Sequence, residues 1–137
     1  MSIVDKQLRI LFIDDDKATN FLNKHIAKKN ANVSSTVLVD SAFEAIDYLE
    51  KQVLNPQDRP DIIFLDINMP AMNGWEFLDV FYKIDSGLIK DIEIVILSSS
   101  DDPNDINQFK TYNTLLDFVK KPLDSKLFND VLLKLSS

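Results

Sequence analysis

The sequence predicts an α/β protein in which five parallel strands form one doubly wound sheet with helices on both faces. Short apolar runs of strand length alternate along the chain with segments in which apolar residues recur at helical spacing. This strand and helix pair occurs five times, with short links between the segments. Strands that are joined by helices lie parallel, because each helix returns the chain to the same end of the sheet.

The five predicted strands differ in pattern. The third is a continuous apolar run, as expected for a strand buried on both faces of a parallel sheet, and the first, fourth and fifth are mostly apolar. The second alternates apolar with small polar residues and is rich in β-branched types, which is typical of a strand with one exposed face. In chain order, the predicted strands cover residues 8–13, 33–39, 62–65, 92–97 and 115–119.

The five helices are predicted from apolar residues at intervals of three or four, and in the first helix these are Phe21, Leu22 and Ile26. Ser41 and Glu44 form a capping box that begins the second helix. Gly87 ends the third helix or lies in the loop after it, and the fourth helix has the weakest pattern. The helices cover residues 17–31, 41–53, 75–84, 106–112 and, from Asp124 or Ser125, the segment up to 135, with Phe77, Phe81, Phe109 and Phe128 expected in the core.

Composition limits the classes of protein that fit. The 137 residues, 45% of them hydrophobic, suit a single domain over 1–137 with its core at about 8–136. There is no cysteine, and the single histidine, His25, excludes a His-rich metal site. The net charge of -7 argues against nucleic-acid binding. Without a signal-like start or an apolar run of membrane-spanning length, we expect a cytoplasmic protein with no membrane insertion.

Polar side chains follow four of the predicted strands. The first strand ends in Asp14, Asp15 and Asp16, and Asp66, Ser98 and Lys121 end the third, fourth and fifth. Ligands of open α/β sheets bind outside the carboxyl ends of the strands. If these four strands end at one edge, the groups converge on one crevice.

Such a group suits phosphoryl transfer. Clustered carboxylates repel one another, and a divalent cation relieves that repulsion. Because every candidate ligand is an oxygen, Mg²⁺ is the expected ion. Lys121 adds a second positive charge, Ser98 a hydroxyl donor, and an aspartate can itself become phosphorylated. Asp66 is the best candidate because it stands alone at its strand end.

Each of these features also has a structural interpretation. Asp14, Asp15 and Asp16 could serve only as a helix N-cap and first-turn charges, and Asp16 is expected to be the cap. Asp66 could form a turn, Ser98 could belong to a polar loop, and Lys121 could be a solvated charge. The Asn73-Gly74 pair is expected to need a positive φ. The coincidence of four such features at strand ends favours a functional site.

The set resembles the receiver domain of two-component response regulators over nearly the whole chain. The segments that carry the resemblance are 10–16, 66–74, 94–99 and 118–122. The resemblance implies a flavodoxin-like five-stranded parallel sheet in the order 2-1-3-4-5 with five helices. It also implies a stand-alone signalling domain that is not an enzyme, apart from its own phosphotransfer and autodephosphorylation.

The resemblance implies a role for each site residue. Asp66 would accept phosphate from a histidine kinase or histidine phosphotransfer protein. Mg²⁺ would be held by Asp14, Asp15, Asp66 and the backbone carbonyl of Asn68. Ser98 would turn toward the phosphoryl group, and Lys121 would contact it and precede a cis peptide bond to Pro122. Phe118 would be a second switch residue. The signal would pass to a downstream protein, or to a homodimer partner, through the face of the fourth helix, fifth strand and fifth helix.

Three positions depart from the commonest family pattern. Ser98 replaces threonine and keeps the hydroxyl, and Ser99 replaces a small apolar residue. Phe118 replaces tyrosine, so an output that depends on a tyrosine hydroxyl is in doubt.

Two other functions compete with this interpretation. A Mg²⁺ phosphatase resembling the haloacid dehalogenases would use Asp14 as its nucleophile, but the sequence lacks other parts of that motif, including a Thr or Val where Ala18 stands. A receiver-like binding module that accepts no phosphate is the other alternative. The complete set of acidic, serine and lysine residues argues against it.

Overall fold

The computed structural model describes residues 7–52, 55, 58–84 and 86–135. Three parts of the sequence predictions lie outside the described residues. They are the chain start at residues 1–6, the end of the second helix at Val53, and the end of the core at residue 136. The strands are β1 (Leu8–Ile13), β2 (Val33–Val39), β3 (Ile62–Asp66), β4 (Glu93–Ser98) and β5 (Asp117–Lys120). The helices are α1 (Lys17–Lys28), α2 (Ala42–Gln52), α3 (Gly74–Phe81), α4 (Ser86–Ile89), α5 (Pro103–Lys110) and α6 (Ser125–Lys134).

The five strands form one parallel sheet in the order β2-β1-β3-β4-β5. The predicted fold class and strand order are therefore confirmed. The central strand β3 is buried along its whole length, which explains its uninterrupted apolar sequence. The parallel register aligns Asp66 at the end of β3 with Leu97, so Ser98, the last residue of β4, extends the same edge.

The core forms two layers, one on each face of the sheet. Alternate strand residues divide between them, because successive side chains of a strand point to opposite faces. One layer includes Leu11, Ile63 and Ile96 and is covered by α2 and α3. The other includes Ile10, Phe64 and Val95 and is covered by α6. The expected core phenylalanines are members: Phe77, Phe81 and Phe128 are fully buried, and Phe109 is partly buried against the first layer.

The helix ends differ from the predicted ones by a few residues. α1 ends at Lys28 and α3 at Phe81, each about one turn earlier than apolar spacing predicts. Gly87 neither ends α3 nor lies in a loop, because it belongs to α4, a helical turn of four residues. The fourth and fifth predicted helices are therefore α5 and α6. Among the described residues, every helix is too short or too polar to span a bilayer.

Of the three apolar side chains that predict α1, Ile26 is partly buried against the second core layer, but Phe21 and Leu22 do not mark the buried face. Phe21 and Leu22 are 67% and 60% exposed. The buried residues are Asn20, Asn23 and Ala27, which share one face at intervals of three and four. Asparagine can face the sheet here because the side chain of Asn20 donates hydrogen bonds to backbone carbonyls at the ends of β1 and β2.

Candidate functional site

The polar groups predicted at the strand ends lie at one edge of the sheet. Asp14 directly follows β1, Asp66 and Ser98 are the last residues of β3 and β4, and Lys121 directly follows β5. The Lys121 amide donates a hydrogen bond to the Ser98 carbonyl at 2.9 Å, which connects the ends of β4 and β5. The peptide bond from Lys121 to Pro122 is cis, as expected.

Three carboxylates form the centre of this edge. One oxygen from each of Asp14, Asp15 and Asp66 lies within 4.8 Å of the others. Asp14 and Asp66 are 2% and 4% exposed, whereas Asp15 faces solvent. Asp16 lies outside the cluster and caps α1, since its carboxylate accepts hydrogen bonds from two amides of the first turn. Asp16 is therefore the N-cap, as expected, and Asp14 and Asp15 precede the helix.

A single ammonium group contacts both buried carboxylates. Lys121 Nζ lies 2.6 Å from Asp14 Oδ2 and 3.5 Å from Asp66 Oδ1. Burial acts to lower the pKa of Lys121, but its hydrogen bond to Asp14 and the charge of Asp66 outweigh burial and raise it. The lysine therefore stays protonated and offsets part of the negative charge.

The carboxyl group of Asp66 is a weaker acid than an ordinary aspartate side chain. Burial and the negative charge of Asp14 raise its pKa to about 6, against the opposing effects of Lys121 and of the Asn68 amide. That amide donates to Asp66 Oδ1 at 3.1 Å, which places the Asn68 backbone beside the carboxylate. Near neutral pH, Asp66 is mostly ionised but poorly compensated, so it would favour a cation or an electrophile as a neighbour.

The loop after Asp66 corrects one prediction from the sequence. Asn73 has a φ of -80° and is the N-cap of α3, and none of the described glycines has a positive φ. Gly74 is needed for a close approach instead: a Cβ there would lie 2.7 Å from Ile67 Cα and 2.9 Å from the Asp66 carbonyl. The positive φ of this loop, 67°, belongs to Ala71.

Ser98 is completely buried and begins a series of short-range hydrogen bonds. Its Oγ accepts from the Ser100 amide at 3.0 Å, and Ser100 Oγ accepts from the Asp102 amide at 3.0 Å. Asp102 in turn caps α5, because its carboxylate accepts from the Asn104 amide at 2.9 Å. These three bonds, here called the serine ladder, connect the site to the start of α5.

Comparison with known protein families identifies this arrangement. The sequence pattern of the response regulator receiver domain matches residues 10–132 of the chain. The chain belongs to the response regulator receiver family. The predicted resemblance is thus confirmed, and the match covers β2 to β5 and most of β1.

Solved receiver structures share the fold. A two-component response regulator from Cytophaga hutchinsonii has a TM-score of 0.83 and 33% identity, covering 92% of this chain and 95% of that one. A response regulator receiver protein from Dyadobacter fermentans has a TM-score of 0.80 and 27% identity, covering 94% and 98%. Among curated proteins, a two-component response regulator of Oryza sativa subsp. japonica is 28% identical over 120 residues, 86% of this chain but 51% of the rice protein. The chain thus spans about half the length of that relative.

Phe118 occupies the predicted second switch position of this receiver domain. It is half-buried on β5, and its ring meets that of Phe109 on α5 edge to face, with centroids 5.5 Å apart. The ring therefore contacts the helix that the serine ladder caps. Whether it moves with phosphorylation remains a prediction from the resemblance.

The structure adds three features of the receiver domain that sequence reasoning missed. Asn73 and Glu76 form a reciprocal capping box, a signal readable from their spacing of three. Trp75 Nε1 donates to Asp105 on α5 at 3.2 Å, a contact between positions thirty residues apart. Asn20 contacts the backbone of Asp14, and nothing in its sequence context indicates this.

Proposed function

We propose that this receiver domain accepts a phosphoryl group on Asp66 from a phosphohistidine of a histidine kinase or histidine phosphotransfer protein, in a reaction that requires Mg²⁺. The observation that carries the proposal is the grouping of three carboxylates within 4.8 Å around an ammonium group that contacts two of them. Family membership supports it. A cytoplasmic location belongs to the same proposal, because histidine kinases draw the phosphoryl group from ATP.

The donor set fits Mg²⁺. Carboxylates supply hard oxygen ligands, and the exposed position of Asp15 leaves one side open to the waters that Mg²⁺ usually keeps. The carboxylates of Asp14, Asp15 and Asp66 and the carbonyl of Asn68 would hold the ion. When bound, it would neutralise charge on the phosphoryl oxygens and on the clustered carboxylates.

Three residues of the chain would have separate roles in phosphoryl transfer. An oxygen of Asp66 forms a bond to phosphorus while the bond from phosphorus to the histidine nitrogen of the donor breaks, and that nitrogen keeps the electron pair. Lys121, already 3.5 Å from Asp66, stabilises the charge on the transferred group. The Ser98 hydroxyl would rotate to donate to a phosphoryl oxygen, and doing so would weaken its bond to the Ser100 amide.

The face formed by α5, β5 and α6 is the proposed route of the signal to a downstream protein or a second copy of the chain. None of the eight residues of α5 is buried, so few core contacts hold this helix in place. The serine ladder, the Phe109 and Phe118 ring contact, and the bond from Trp75 to Asp105 join it to the rest of the domain. A change at Ser98 can therefore shift the population of α5 positions.

Phosphorylation by a small donor tests the proposal without the cognate kinase. Wild-type protein with phosphoramidate and Mg²⁺ should gain the mass of one phosphoryl group, in an acid-stable and base-labile form. Asp66→Asn should abolish this gain. Asp16→Asn is the matched control, because asparagine is an equally good N-cap and Asp16 lies outside the cluster.

The same experiment separates the alternatives. Under the phosphatase alternative, Asp14→Asn would abolish labelling and Asp66→Asn would leave it. Both oxygens of Asp14 already accept hydrogen bonds, from the Asp16 amide at 2.9 Å and Lys121 at 2.6 Å, which disfavours Asp14 as a nucleophile. No label on wild-type protein would sink the proposal and favour a binding module that works without phosphate.

A further inference from the structure

Asn20 is a polar residue buried under the acidic cluster. It lies on α1, is 3% exposed, and faces the carboxyl ends of β1 and β2. Its Nδ2 donates to two backbone carbonyls, those of Asp14 and Val39, both at 2.9 Å. One amide group therefore joins the helix to the ends of two neighbouring strands.

With Asn20 in place, every polar group of Asp14 has a partner. The Asp14 amide donates to the Val39 carbonyl at 3.2 Å, and its carbonyl accepts from Asn20. One carboxylate oxygen accepts from the Asp16 amide and the other from Lys121. Of these four contacts, the bond from Asn20 is the one that connects the Asp14 backbone to α1 through a side chain.

The other end of the Asn20 side chain shows that packing alone does not explain this residue. Its Oδ1 is buried and has no hydrogen-bond partner among the described residues. An unpaired buried carbonyl oxygen destabilises the folded state, and an apolar residue of similar size would avoid that cost. The contribution specific to Asn20 is its pair of amide donors.

We propose that Asn20 is a positioning residue for the acidic cluster: by holding the Asp14 carbonyl, it fixes the direction in which the Asp14 carboxylate points. The inference rests on the proposed function, because it assigns Asn20 a part in the binding of Mg²⁺. Groups that orient metal ligands contribute strongly to metal affinity, typically tenfold or more. Asn20 acts through Asp14 and would not itself contact the ion or the phosphoryl group.

The chain offers a matched control in Asn23. It is the same residue type, one turn later on the same helix, and 4% exposed. Asn20→Ala and Asn23→Ala therefore remove equal volumes at positions of similar burial. Calorimetric titration with MgCl₂ should show about a tenfold rise in Kd for Asn20→Ala and a Kd close to wild type for Asn23→Ala. Amide hydrogen exchange at Asp14 should accelerate in the first variant more than in the second.

The outcomes separate this inference from the proposed function. If wild-type protein binds no Mg²⁺, the proposed function fails, while exchange at Asp14 still reports whether Asn20 holds its backbone. If wild type binds Mg²⁺ and both variants match it in Kd and in exchange at Asp14, the positioning role is overturned. Equal losses in the two variants would also overturn it, since they indicate general destabilisation. Should Asn20→Ala fail to fold, Asn20→Ser keeps one donor and should give an intermediate Kd.

Discussion

The negative charge of the carboxylates at this site is only partly balanced by positive charge. Three carboxylates and one ammonium group leave two negative charges when all four are ionised. Lys121 lies closer to Asp14 than to Asp66, at 2.6 Å against 3.5 Å. Burial and the negative charge of Asp14 raise the pKa of Asp66 to about 6, and Lys121 opposes them only in part. The residue proposed to accept phosphate thus carries a negative charge that is only partly compensated.

The raised pKa predicts that Asp66→Asn stabilises the metal-free protein at neutral pH. Because its pKa in the folded protein is about 6, Asp66 is harder to ionise there than in the unfolded chain. Protonated Asp66 therefore contributes its full stabilisation of the folded state below pH 4, and this stabilisation is lost as pH rises through 6. The variant should be more stable by roughly 1 to 3 kcal/mol at pH 8 and by almost nothing at pH 4. Urea unfolding in EDTA at both pH values measures this, and a gain of the same size at pH 4 would contradict it.

A second residue-scale prediction concerns the loop behind Asp66. Gly74→Ala should destabilise the protein by about 1 to 3 kcal/mol, because the new Cβ would overlap the Ile67 backbone. Ala71→Gly is the opposite case, since alanine there has a φ of 67°. It should cost little or stabilise by up to about 1 kcal/mol. Thermal unfolding of both variants checks the pair, and equal effects would show that steric contact is not the reason for Gly74.

At the scale of elements, α5 depends on its ends for its position. It has no buried residue, and the contacts that hold it include the Asp102 cap, the Trp75 bond to Asp105, and the partly buried ring of Phe109, which packs on Phe118 and the first core layer. The other long helices each bury residues in one of the two core layers. An element held in this way can move without breaking the core, which suits a helix that transmits a signal.

The serine ladder can be tested at its middle member. Ser100→Ala removes the oxygen that accepts the Asp102 amide, while the amide of residue 100 can still bond to Ser98. We expect faster hydrogen exchange at Asp102 and a loss of stability of about 0.5 to 1.5 kcal/mol. Ser99→Ala is the control, since Ser99 is an exposed neighbour outside the ladder. Equal exchange at Asp102 in the two variants would exclude the ladder as a constraint on α5.

At the scale of the whole molecule, the sheet separates two faces that carry different helices. The face covered by α2 and α3 includes Trp75, whose ring stacks on Tyr112 with centroids 5.8 Å apart. Trp75 follows Gly74 at the site loop and bonds to α5 through Asp105. Trp75 therefore follows the loop of the site directly in the chain, and its indole bonds to the proposed output helix. The opposite face carries α1, with Asn20 and the end of β1.

Trp75 should therefore report phosphorylation. Phosphoramidate with Mg²⁺ should change the emission of this single tryptophan in wild-type protein and leave Asp66→Asn unchanged. Asp105→Ala removes the bond between the indole and α5, so it should reduce the emission change without preventing phosphorylation. Emission and mass spectra of the same samples provide the test. An undiminished emission change in phosphorylated Asp105→Ala would show that α5 does not act through Trp75.

The strands and the residues at their ends were the most predictable part of this protein. Each end follows from local sequence, because an apolar run that stops at a polar residue indicates both the strand and its edge. The buried face of α1 was not predictable, because Asn20 is buried by its bonds to carbonyls of β1 and β2 rather than by an apolar character of its own. The prediction that Gly74 serves a positive φ was wrong, since glycine is needed there because a Cβ would overlap the Ile67 backbone.

The sequence by itself determined the fold class, the order of the elements and the candidate residues of the site, since periodicity and strand ends are local properties of the chain. Only the tertiary structure decided which groups contact one another. Lys121 pairs with Asp14 across 107 positions, and Trp75 bonds to Asp105 across thirty. Such distances depend on how helices pack against the sheet to within an ångström or so, and local sequence carries no information at that resolution.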